Sequence, residues 1–542
     1  YDRLSVDPPS GSTAGGTFVR IRGADTSFTA DDAVFIGDEP LLEPTFVSAT
    51  LITGRTPSHA PGPKTVRVEG LAETVTAPEA FTYFDSADPI NGGFGGGPIQ
   101  GEVNIVVLDA YTDEPVADAY VLMGADASSP YQAVTDGTGR VTFSAPGLTG
   151  PQMITVAAVD YERVSVIAFD ARDVTLFLTP FVPPNPGTIP GQSWSLVNGL
   201  VTFGGVEFGQ GCDFSQMVPE PVEGETRVIK VYQTVGDYDY TTSTPGEGGT
   251  IYEGTECITG YGYWIYARPG SYAVYALAGI EEDATGAFTP HALGIARNLL
   301  SGPDQTLNDV NITIDFPLDR DISFDLSEAP PLDPAMGPVG YSVSVFIDLG
   351  GDGFIVRSDT KRSVTETIDP VLVDRLPHLT RGLSDGTYTA FIEAHNNGSY
   401  PYSKVYLSPV QPSSNPVLVD TWLGIPVAVD PEEGGEPTTN RMIWTADGDE
   451  PTFNLVVIRT FPDGDPYWQL LVNGAVDQFV LPDLYGLGPG LDGHPAGMMY
   501  WHIIPITVLG MDFNDFSYRY FNDRYWSATA GDGFTFSFPD AQ

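Results

Sequence analysis

At 542 residues the chain exceeds what one ordinary core serves, and length alone suggests about three to five domains. A hydrophobic content of 42% with 11% aromatics excludes a disordered polymer. The formal net charge of -47 repels a phosphate backbone, which excludes a nucleic-acid partner.

The first 85 residues alternate short β-branched runs, "TFVRIRG", "DAVFIG", "TLITG", "KTVRVEG" and "AFTYF", with turn residues, the period-two pattern of an antiparallel sandwich. "GSTAGGTFVRIRG", residues 11–23, has glycines enough for a phosphate loop. It has no lysine, and the residues after Gly16 alternate as a strand, so it reads as a turn. The ordered set "SVDPPSGSTAGGTFVRIRG", "VFIG", "LITGRTP", "TVRV" and "FTYF" resembles the IPT/TIG family over residues 1–85. That resemblance implies an immunoglobulin-like sandwich with a spacer or binding role and no catalysis.

"DPINGGFGGGP" marks a flexible linker over 86–98. Strands resume over 99–180, where "EPVADAYVLM" and then "AVTDGTGRVTF" are similar to carboxypeptidase regulatory-like domains, a transthyretin-like sandwich family that is likewise non-catalytic. Asp136 and Gly139 are placed to shape the hairpin turn of the second motif. A proline-rich spacer covers 181–192.

Beyond it, composition divides the chain into β domains at 193–326, 327–430 and 431–542, with "SEAPPLDPAMGP" and "DPEEGGEPTT" at the boundaries. The first holds the only two cysteines, Cys212 and Cys257, which read as one disulfide formed in an oxidising compartment. Two segments, 291–302 and 369–379, are spaced as short helices.

Neither H-E-x-x-H nor G-x-S-x-G occurs. His494 and His502 flank "PAGMMYW" closely enough to be considered as a metal pair. "DLGGDGFIVRSD" echoes a calcium loop with Asp348, Asp352 and Asp359 as ligands, although glycine replaces one ligand and Asp the bidentate Glu. The competing reading is a hairpin whose Gly-Asp-Gly turn supplies positive φ. Tyr518, Tyr520, Tyr525 and Trp526 sit in an aromatic stretch that reads either as a sugar-stacking surface or as one face of a core.

The sequence therefore predicts an all-β chain of tandem immunoglobulin-like and transthyretin-like β-sandwich domains with few short helices. No apolar run is long enough to span a membrane, and Tyr1 in place of Met suggests a removed secretion signal. The expected role is a non-catalytic extracellular structural subunit of a bacterial surface filament, sheath or stalk. Such a subunit self-associates through edge strands and chain ends or meets other surface proteins. An adhesin or carbohydrate-binding protein with glycans as partners is the alternative. No cofactor is expected beyond calcium.

Overall fold

The computed structural model describes residues 4–538 apart from 25, 72, 86–91, 183–193, 205–211, 237–247, 258, 368, 397–399, 488–490, 492–493, 496, 519–520 and 522–524. Among the described residues the fold is all-β, and helix occurs as short 3-10 turns such as Phe214–Gln216 and Pro334–Met336. Most of the proline-rich spacer and part of the glycine-rich linker lie outside the described residues.

The N-terminal module is a two-sheet sandwich. Leu4–Asp7, Phe18–Gly23, Leu51–Arg55 and Leu42–Ser48 form one sheet, and Ser10–Ser12, Thr74–Phe84, Gly62–Glu69, Ala33–Ile36 and Glu39–Pro40 the other. Alternate residues of each strand, among them Val19, Ile21, Val66, Val68 and Phe81, meet between the layers. Gly15 and Gly16 turn the chain at φ 80° and 84°, so the glycines of the opening motif do make a turn.

Residues 93–95 of the expected linker form a strand. Gly93–Gly95 pairs antiparallel with Asp173–Leu178, and Phe94 is buried. A large aromatic ring in reach of a core outweighs the freedom of its glycine neighbours.

Both predicted helices are strands. Of residues 291–302, all but the last fall in Phe288–Ser301, which pairs with Gly270–Glu282 on one side and Ile312–Pro317 on the other. Residues 369–379 contain Val371–Leu376, which pairs with Arg320–Asp325. Local apolar spacing is a weak prior, and hydrogen-bonded neighbours override it.

A 13-stranded sheet runs through segments that the sequence reads as separate domains. Tyr120–Met123, Gln152–Ala157 and Arg163–Phe169 continue into Pro466–Asn473, Phe453–Thr460, Gly497–Val508 and Trp526–Phe538, and these into Tyr402–Val410, Thr387–Asn396 and Val339–Asp348. The first joint is parallel, Arg163↔Trp468 to Ile167↔Val472, and the second antiparallel, Tyr402↔Gly531 to Val405↔Ala528. Side chains follow the backbone: Phe453, Leu471, Ile506, Phe513 and Phe516 complete the core begun by Val103, Ile105, Val121 and Ile154.

An eight-stranded sheet of residues 195–317 encloses its own core of Val197, Ile229, Tyr263, Val274 and Ile312. Cys212 and Cys257 are joined by a disulfide across its loops, with Cα atoms 6.0 Å apart.

Candidate functional site

The loop after Val339–Asp348 is where the N-terminal module, the disulfide-bearing sheet and the 13-stranded sheet come together. Gly350–Asp352 makes a single 3-10 turn. The next residue, Gly353, has φ 82°, and a Cβ there would lie 2.3 Å from the Val235 carbonyl. Glycine is therefore required on two grounds, conformation and space. The close approach lets Val235 and Phe354 exchange backbone hydrogen bonds of 3.0 and 2.8 Å.

The three aspartates of this loop each take a different arginine. Asp348 accepts from Arg22 Nη2 at 2.5 Å and from the Gly350 N–H at 2.8 Å. Arg22, 3% exposed, belongs to the N-terminal module and also donates to Thr387 Oγ1 at 3.0 Å. Asp352 accepts from Arg297 Nε at 2.7 Å, and the same guanidinium reaches Asp385 and the Leu349 carbonyl. Burial disfavours the charge of Arg297, yet its bonds with Asp385 and Asp352 raise its pKa above the ordinary guanidinium value. Asp359 is held by both arms of Arg357, whose remaining Nη donates to the Arg375 carbonyl at 2.8 Å.

These carboxylates do not converge on a point. Among the described residues no three His, Cys, Asp or Glu side chains gather as metal ligands. What the loop can do chemically is bind guanidinium groups, those of Arg22 and Arg297 from other segments and that of Arg357 from the loop itself.

His494 and His502 are not brought together either. His494 stacks on Phe538 with ring centroids 4.2 Å apart, on the face of the large sheet that carries Trp501. His502 follows Trp501 in the same strand, so it points to the opposite face, where it meets Tyr400 at 4.9 Å.

Of the C-terminal aromatics, Tyr518 packs edge-on to Phe177 at 5.0 Å and to Phe516 at 5.2 Å. Tyr525 and Trp526 are half-buried against the core shared with residues 103–178, and Trp526 also meets Tyr406 at 6.5 Å. Tyr520 lies outside the described residues. The described rings thus close a core seam.

The exposed aromatics are elsewhere. Tyr261–Ala267 alternates buried and exposed positions, leaving Trp264 59% and Tyr266 55% exposed. Sequence reasoning passed over them, although the alternation of "YGYWIYA" marks one ring set as outward whichever face is core.

Residues 4–83 match the IPT/TIG domain family. No curated protein matches the sequence. Among solved structures the chain is similar to the Bacillus anthracis TIE protein, at 10% identity over 77% of this chain and 73% of that one, with a TM-score of 0.12. A streptococcal ancillary pilin is similar at 11% identity over 51% of this chain and 81% of that one, TM-score 0.14. SGBP-B of Bacteroides ovatus, solved in complex with a mixed-linkage heptasaccharide, is similar at 13% identity over 47% and 73%, TM-score 0.11. At TM-scores this low none of these likenesses carries an argument. No helix among the described residues is long and apolar enough to cross a membrane.

Proposed function

We propose that the chain is a non-catalytic structural subunit of an extracellular surface assembly, a stiff element of a filament, sheath or stalk. The observation that supports this most is the continuous backbone ladder that joins strands remote in sequence, Arg163–Phe169 to Pro466–Asn473 and Tyr402–Val410 to Trp526–Phe538. Interfaces between domains of one chain are ordinarily polar and permit relative motion. A ladder of hydrogen bonds with a shared apolar core does not, and stiffness is what an element under tension needs. On this reading Asp348 and Asp352 are struts between segments.

We also read residues 99–180 as a carboxypeptidase regulatory-like module. Its motif residues have structural work: Asp136 accepts from the N–H groups of Thr138 and Arg140, and Gly139, at φ 69°, lies where a Cβ would meet the Val107 carbonyl at 2.5 Å.

Assembly between copies has to overcome a net charge of -47 on each. Screening shortens the range of that repulsion to about 10 Å at 0.1 M salt and about 3 Å at 1 M. Sedimentation velocity and negative-stain microscopy of the purified chain should therefore show ordered self-association that grows with salt. A monomer at every concentration and ionic strength would overturn the proposal.

A further inference from the structure

The outward side of strands Ser195–Phe203 and Tyr261–Ala267 is uncharged on a strongly acidic molecule. Its positions are Leu196, Asn198, Leu200 and Thr202 on one strand and Gly262, Trp264 and Tyr266 on the other, and none is charged. The register sets Trp264 opposite Asn198, Tyr266 opposite Leu196 and Gly262 opposite Leu200. Charged groups border the strands: Arg268, Asp304 and Asp309 of the segment that precedes Ile312–Pro317, and Asp315 of that paired strand, which packs on Gly204.

The two rings stand 5.5 Å apart at an interplanar angle of 77°, so they make a corner, not a flat platform. Beside Trp264 the strand has a notch, because a Cβ built on Gly262 meets nothing within 4 Å. Around this notch lie side-chain amides. Asn198 donates to Asn308 Oδ1 at 2.9 Å, and Asn311 Oδ1 accepts the Leu200 N–H at 3.0 Å. Among the described residues those bonds use one atom of each amide and leave Asn198 Oδ1 and the NH2 groups of Asn308 and Asn311 for an outside partner.

We propose that this corner binds a neutral glycan through a pyranose ring. The C–H face of the sugar packs against one aromatic ring while the other walls its edge, and hydroxyl groups pair with the free amide atoms. The chemistry of the patch selects this occupant. An acidic polymer is repelled by the charge of the chain, and a basic one would be drawn to the bordering aspartates and not to the uncharged strands that carry the two rings. A second copy needs about 800 Å² on each partner. Two rings at the exposures of Trp264 and Tyr266 offer roughly 300 Å² at most. The inference stands apart from the structural role, since a stalk and a sugar-binding face can occur together or separately.

The test is an array of neutral and acidic glycans probed with the full chain, followed by calorimetric titration of the best neutral oligosaccharide. Both side chains point to solvent, so Trp264→Ala and Tyr266→Ala leave the fold intact, which an unchanged thermal midpoint verifies. We expect neutral glycans to bind and each variant to weaken binding at least tenfold. Gly262→Val, which fills the notch, should do the same. Trp526→Ala serves as the control, because that ring is half-buried against Tyr406, and it should leave affinity unchanged. The inference is overturned if no neutral glycan binds at millimolar concentration, if only acidic glycans bind, or if affinity survives Trp264→Ala. It is equally overturned if Trp264→Ala alters self-association and not glycan binding. A chain that assembles but binds no sugar refutes this inference alone.

Discussion

At Asp348, Asp352 and Asp359, carboxylates enter the interior of a strongly acidic chain, each in company with a guanidinium. Arginine suits that task because its planar fork meets a carboxylate with two donors and is less strongly hydrated than an ammonium group. The chain has four lysines against 20 arginines among its 24 basic residues. Histidine is treated differently: His494 lies under Phe538 near Trp468, and neither ring nitrogen has a hydrogen-bond partner among the described residues. Burial, and then the charge of Arg163, lower its pKa to about 4. In the unfolded chain that value is about 6.5, so between pH 6.5 and pH 4 the unfolded state binds the additional proton and the native state loses stability as pH falls. The loss amounts to roughly 3 kcal/mol by pH 4. Asp532 acts in the opposite sense. Burial raises its pKa to about 6, so the native state binds the proton first and gains stability as pH falls from 6 toward the ordinary carboxylate value. His494→Phe keeps the ring stack and removes the titration, so its denaturation midpoint should fall less than that of the parent chain between pH 7 and pH 4.5. Parallel losses in the two proteins would show that His494 does not titrate there.

Strand Phe288–Ser301 shows why an element can be legible and its type not. "HALGIARNLL" places apolar residues at helical spacing, but the strand is paired on both sides, and those ladders decide the matter. The misreading hid a functional detail. Tyr272 pairs with Leu299 and Val274 with Ala296, so the strand carries one extra residue there, a bulge at which Asn298 has φ 59°. The bulge sits beside Arg297 and aims it toward Asp352 and Asp385. Other elements were legible because their signals are local: the turn at Gly15 and Gly16 and the pairing of two lone cysteines. The turn at Asp136 was legible too, but not as the expected hairpin: Gln132–Val134 pairs with Tyr120–Met123 and Arg140–Thr149 with Gln100–Asp109, so the turn carries the chain from one sheet to another. For the disulfide the chain-entropy account gives about 4 kcal/mol for a loop of 45 residues. Reduction, or Cys212→Ser with Cys257→Ser, should accelerate native-state hydrogen exchange in Tyr261–Ala267 and its neighbour Ser195–Phe203 by roughly three orders of magnitude, the rate equivalent of that energy. Exchange that stays unchanged in these strands would mean that the cross-link constrains nothing the fold does not already hold.

Across the whole molecule, composition shifts divided the chain into successive modules, while hydrogen bonds and cores run between them. Periodicity declares that residues 163–169 and 466–473 are strands, but it cannot declare that they are partners. The same holds for the aromatic stretch after Phe513, whose alternation fits core and surface equally until Phe94 and Phe177 are placed against it. The junction at Arg22 and Asp348 belongs to this scale as well. It ties the N-terminal sandwich to the sheet edge across 326 positions of sequence, beside a second tie in which Arg55 donates to the carbonyls of Gly16 and Gly510. If the pair acts as a strut, removing one partner leaves a charge buried without compensation, at a cost of about 3 to 5 kcal/mol. Removing both leaves no such charge and costs much less. Arg22→Met, Asp348→Leu and the double variant form a cycle that can be read by hydrogen exchange in Phe18–Gly23 and by thermal unfolding. Each single change should loosen the N-terminal sandwich, and the double change should recover at least half of the loss. Additive losses would mean that the two residues are neighbours without being coupled, and the stiffness of the molecule would then have to rest on its apolar cores and on the ladders of the large sheet.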